Sequence, residues 1–73
     1  MKVRVTHLEK MFLNVRQGPS LDSILIGSVR EGSIAIVDES KSANGFYYVT
    51  FTEPWNHICG YCMKEYFEEL KEN

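Results

Sequence analysis

Among the side chains able to do chemistry, His57, Cys59 and Cys62 lie closest together in the sequence. Thiolates and imidazoles bind metals and serve as nucleophiles or bases. The pattern His-x-Cys-x-x-Cys offers three ligands, whereas a structural zinc site takes four. The stretch from Ile58 to Cys62 also reads as a strand. Residues three apart on a strand point to opposite faces, so the two sulfurs cannot readily share one ion. A His57–thiol pair would need an orienting acid and an oxyanion hole to act catalytically, and nothing in the sequence supplies them. His7, the other histidine, sits beside a separate turn. The expectation is therefore a chain that is not an enzyme, with no metal and no cofactor.

Recognition is the chemistry that remains. Four Tyr, four Phe and one Trp are more aromatic surface than a 73-residue domain can bury. Between Phe46 and Phe51, strand alternation puts Tyr47, Val49 and Phe51 on one face, read as core, and Phe46 and Tyr48 on the other. Trp55 falls in a turn beside Pro54, where it either meets a ligand or caps the core. Tyr48 and Tyr61 read as contacts, since exposed Tyr and Trp give large area at low entropic cost. Asn14 and Arg16 alternate away from apolar Leu13 and Val15. They either pin the following loop through backbone carbonyls, the preferred reading, or meet a peptide carboxylate or carbonyl. Glu65, Glu68 and Glu69 read as a solvated face.

These side chains need strands to hold them. Val3 and Val5 alternate in a first strand, and Phe12 to Arg16 forms a second that Gly18-Pro19 ends, because proline has no N–H to donate. Residues 17–24 form a loop, Leu25 to Arg30 a strand and Glu31-Gly32 a turn. From Ser33 to Asp38 both faces are apolar, which predicts a central strand of a curled sheet. Glu39 to Asn44 reads as a polar turn, closed by the strong turn pair Asn44-Gly45. Phe46 to Thr52 is a strand, Glu53 to Asn56 a turn and His57 to Met63 a strand. Lys64 to Phe67 suits a single helical turn, and residues 68–73 a charged tail. Turn signals at this spacing predict one all-β domain built as a small barrel or sandwich.

Composition narrows the function further. A net charge of −2 argues against a nucleic-acid partner, which needs a basic surface to release counterions. No apolar run approaches the ~20 residues of a membrane span, so no membrane insertion is expected. Met1-Lys2 leads directly into an alternating stretch, and no signal peptide is read there.

Four blocks now carry a resemblance. Leu13-Asn14-Val15-Arg16-Gln17-Gly18-Pro19-Ser20 is similar to the signature of bacterial SH3 (SH3b) domains. It is followed in register by Ile26-Gly27-Ser28-Val29-Arg30-Glu31-Gly32, Gly45-Phe46-Tyr47-Tyr48-Val49 and Gly60-Tyr61-Cys62-Met63-Lys64-Glu65-Tyr66-Phe67. The resemblance implies an SH3-like barrel of five to seven short antiparallel strands with one single-turn helix near the C-terminus. It places Cys62 where a buried valine usually lies, so Cys62 reads as a small core residue and Cys59 faces outward with Tyr61. It further implies a module that docks a peptidoglycan hydrolase or endolysin at the cell wall, outside the cell, by binding peptidoglycan peptide. The hydrolase domain would lie in the parent chain. Tyr48, Trp55, Tyr61, Asn14, Arg16 and Asp22 are the expected contacts. The proline-ligand mechanism of eukaryotic SH3 domains does not carry over, because Asp22 is the only acid in the corresponding loop. A protein–protein interaction domain, intracellular or linked to a sensor, is the alternative.

Overall fold

The computed structural model describes residues 1–8, 10–52 and 58–71. The predicted turn at Glu53 to Asn56 and the residues Trp55 and His57 lie outside the described residues. Seven strands form: β1 (Lys2–Val5), β2 (Phe12–Arg16), β3 (Leu25–Arg30), β4 (Ile34–Ala43), β5 (Phe46–Phe51), β6 (Cys59–Met63) and β7 (Phe67–Glu69). All neighbours are antiparallel, in the order β3-β2-β6-β5-β4-β1-β7. One 3₁₀ turn, Lys64–Tyr66, carries the chain from β6 to β7.

The sheet has to curl. Laid flat, seven strands would spread over about 29 Å at ~4.8 Å per step. Yet Val29 of β3 and Val3 and Val5 of β1 share one buried cluster with Val15, Val37, Phe51 and Cys62. Strand alternation supplies those inward residues: Val3 and Val5, Leu13 and Val15, Ala35 and Val37, Val49 and Phe51. The result is a small all-β fold of seven antiparallel strands in one curled sheet, in keeping with the SH3-like barrel that the resemblance implies.

Three expectations need correction. Residues 39–43 are not a turn, because β4 runs on to Ala43. Its register against β5 breaks between Asp38 and Ala43, and Ser42 fills the gap. The Ser42 hydroxyl donates to the Asp38 carbonyl at 3.0 Å and accepts from the Tyr48 N–H at 3.0 Å. The actual turn is Asn44-Gly45, both at positive φ (53° and 79°), between paired Ala43 and Phe46. This is the geometry that an Asn-Gly pair favours.

The charged tail likewise begins later than expected. Glu68 and Glu69 pair with Arg4 and Val3, and the Leu70 N–H donates to the Lys2 carbonyl at 2.8 Å. Glu68 also takes an ion pair from Arg4, at 2.8 Å from Nε. β4 is central, as predicted, but its outer face is not covered and Ile36 stays exposed.

β2 and β6 meet in the ladder only at Arg16 and Tyr61. A Cβ on Gly60 would lie 2.7 Å from the Arg16 carbonyl oxygen and 2.7 Å from Val15 Cγ1. Backbone cannot yield there as a side-chain tip can. Gly60→Ala should therefore cost about 1–3 kcal/mol, the range for an overpacked core, read as a lowered urea midpoint with unchanged slope. A midpoint equal to wild type would show that β2 moves away without cost.

Candidate functional site

Beyond the Arg16–Tyr61 contact, β2 separates from β6 and a cleft of ≈ 230 Å³ opens. Phe12, Asn14 and Arg16 line one wall, all from the outward face of β2. Phe46 of β5 and Met63 of β6, which pair with each other, line the opposite wall. Leu21 enters from the 17–24 loop, Tyr66 from the 3₁₀ turn, and Leu8 and Lys10 from the connection before β2.

The loop has a definite shape because its base is tied. The Gln17 N–H donates to the Ile24 carbonyl at 2.8 Å, and Arg16 Nη1 donates to the Ser23 carbonyl at 3.1 Å. Within it, Ser23 N–H donates to the Ser20 carbonyl and the Asp22 N–H to Ser20 Oγ, both at 3.1 Å. The loop thereby crosses toward the β4–β5 turn, where Asn44 Nδ2 reaches the Pro19 carbonyl at 3.5 Å. This crossing explains a further correction. Phe46, assigned to the face opposite the core, is buried, because that end of the outer face lies beneath the loop.

The predicted residues fall into separate groups. Arg16 pins the loop, as its preferred reading holds, while Asn14 stands exposed on the cleft wall. Tyr61 lies opposite both Arg16 and Tyr48, and Tyr48 lies opposite Asp38. Directly opposed residues share a face, so Arg16, Tyr61, Tyr48 and Asp38 form a row across four strands. Within this row the Tyr48 and Tyr61 rings meet edge-to-face with centroids 5.0 Å apart, and Lys41 Nζ stands 4.8 Å from the Tyr48 ring centre. Of these four, Arg16 lines the cleft, and Tyr61, Tyr48 and Asp38 do not. Asp22 is exposed in the loop and does not line the cleft.

Electrostatics follow from these neighbours. The hydrogen bond of Tyr48 with Cys59, followed by partial desolvation, raises its phenol above the ordinary tyrosine value. Hydrogen bonds from Ser40, led by its hydroxyl at 2.6 Å, hold Asp38 below the usual carboxylate value. Cys62 is buried and Cys59 exposed, on opposite faces of β6. Among the described residues, no three His, Cys, Asp or Glu side chains group closely enough to hold a metal ion.

The sequence reading missed Leu21, Phe46, Met63, Tyr66, Leu8, Lys10 and Phe12 as cleft residues. Leu21 carried a signal, being a large apolar residue between Ser20 and Asp22 in the middle of the loop. Tyr66, in the single helical turn, carried another. No family model matches the chain, and the curated proteins compared with it include no match.

Two predictions concern β6. In native protein a thiol reagent should modify one cysteine quickly, and mass mapping should place the label on Cys59. Rapid modification of both would contradict the burial of Cys62. Burial also pushes the Cys62 thiol up from 9.0 to about 12. Below pH 9 both folded and unfolded chains keep that proton. Above it only the unfolded chain loses it, so stability falls as pH rises, by about 1.4 kcal/mol per pH unit up to about 12. Chemical denaturation at pH 8 to 11 should show this extra slope in wild type and its absence in Cys62→Ala.

Proposed function

We propose that this chain is a non-catalytic cell-wall-binding module of the SH3b kind, which docks a peptidoglycan hydrolase or endolysin on peptidoglycan. The observation that carries the reading is the cleft beside the 17–24 loop. It is partly apolar and flanked by the Tyr48–Tyr61 pair. A groove of this type grips a peptide by its backbone and apolar groups while a few polar groups set direction. The four sequence blocks in register support it, and three of them contribute to the cleft: Asn14 and Arg16 come from the first, Phe46 from the third, Met63 and Tyr66 from the fourth. On this reading the ligand is stem peptide or cross-bridge, the catalytic domain belongs to the parent chain, and the module works at the wall or outside the cell.

One observation favours a different reading, a protein–protein interaction domain. Ile24, Leu25 and Ile26 are all exposed, at 67%, 53% and 44%, along the edge strand β3 and the loop leading into it. A contiguous apolar edge is a common feature of protein interfaces.

Co-sedimentation with insoluble Gram-positive cell walls separates the two. Wild type should pellet, and folded Tyr48→Ala and Trp55→Ala should pellet about tenfold less, the size of a hot-spot loss. Wild type remaining in the supernatant with walls of several cross-bridge types would remove the wall reading and leave the β3 edge as the surface to pursue.

A further inference from the structure

We infer that the cleft between β2 and β6 seats the free C-terminal carboxylate of a peptide ending in small apolar residues, with Lys10 and Arg16 as its counter-charges. The inference deepens the wall-peptide reading. It rests on that reading for the source of the peptide, and on the cleft for its chemistry.

Charge is the first argument. The chain carries ten Asp and Glu against eight Lys and Arg. The cleft nevertheless takes two cations, Lys10 and Arg16, and no carboxylate among the described residues. Anions are therefore favoured locally on a protein that is negative as a whole. Arg16 is already oriented, because one arm of its guanidinium is fixed on the Ser23 carbonyl at 3.1 Å. A guanidinium has five N–H donors in a planar fork, so the brace leaves donors for a ligand. That fork matches a carboxylate with two parallel hydrogen bonds.

The other walls define what is attached to the anion. Asn14 stands on the same face of β2 as Arg16 and offers both an amide donor and an acceptor, the complement of one peptide group. Phe46, Met63 and Leu21 supply apolar contact. At ≈ 230 Å³ the cleft lies below the ~300–1,000 Å³ of pockets for drug-sized ligands. It suits the last one or two residues of a chain with small side chains. A bare phosphate would leave the apolar walls unused.

The test is titration of ¹⁵N-labelled protein with N-acetyl-trialanine acid, its C-terminal amide, and inorganic phosphate, followed by amide NMR shifts. The acid should shift Asn14, Leu21 and Tyr66, with the amide at least tenfold weaker and phosphate weaker still. Lys10→Gln, which leaves the loop brace intact, should lose about tenfold affinity for the acid at an unchanged melting temperature. Equal binding of acid and amide, equal binding of phosphate, or shifts confined to other residues would overturn the inference. Acid binding by a protein that does not pellet with walls would keep this inference and discard the wall reading. Wall binding with no response to the acid would do the reverse.

Discussion

The outer side of this barrel depends on one close approach, the passage of the Arg16 backbone over Gly60. Only hydrogen occupies the position where any other residue would place a Cβ 2.7 Å from the Arg16 carbonyl. Because Gly60 lets the strands touch there, the β2–β3 hairpin joins the β6 edge of the sheet at Arg16–Tyr61. The same contact sets where β2 departs from β6, and so where the cleft lies. Arg16, Val15 and Ile26 all converge on that glycine. The 17–24 loop springs from this point, and its brace by Arg16 begins at the residue whose carbonyl rests on Gly60.

The two edges of the sheet are protected by different means. β7 has three residues, two of them Glu, and charge on a short strand discourages further pairing. β3 has six residues and exposes Leu25 and Ile26, a pattern that invites addition of another strand. A register shift in its pairing with β2 between Val15 and Arg16 interrupts the ladder next to those residues. Such a bulge increases local twist and takes the edge out of the flat geometry that strand addition requires. Gly27 follows directly, where a Cβ would meet Ile58 Cδ1 at 2.6 Å. The Ile-Gly pair thus combines an exposed apolar residue with a close contact between elements.

Much of the fold was legible because alternation reports burial directly. β2 and β3 have the predicted limits, and Leu13, Val15, Val49 and Phe51 are core as their spacing requires. What local pattern could not show was the effect of distant chain. Phe46 alternates onto the outer face, yet a loop from much earlier in the chain, held at Pro19 by Asn44, crosses above it. Glu39 to Ser42 have turn composition, yet Ser42 supplies hydrogen bonds that let the strand continue past a break in register. Glu68 and Glu69 read as solvated tail, yet the edge of β1 was free to pair with them. The candidate site was only half legible for the same reason. Alternation marks Asn14 and Arg16 as outward, but the cleft exists only once the loop, the 3₁₀ turn and two sheet segments assemble around them.

On the proposed reading, Arg16 brings structure and recognition into one side chain. Arg16 is half-buried, fixed through one nitrogen, and lines an open cleft. Holding it in place uses much of the rotamer entropy that a long side chain otherwise loses on binding. The proposal would have the loop prepare the cation for a ligand, while the cation holds the loop that brings Leu21 to the cleft. A lysine could supply the charge, but its point-like ammonium lacks the planar fork that serves a carbonyl with one nitrogen and a second acceptor with another.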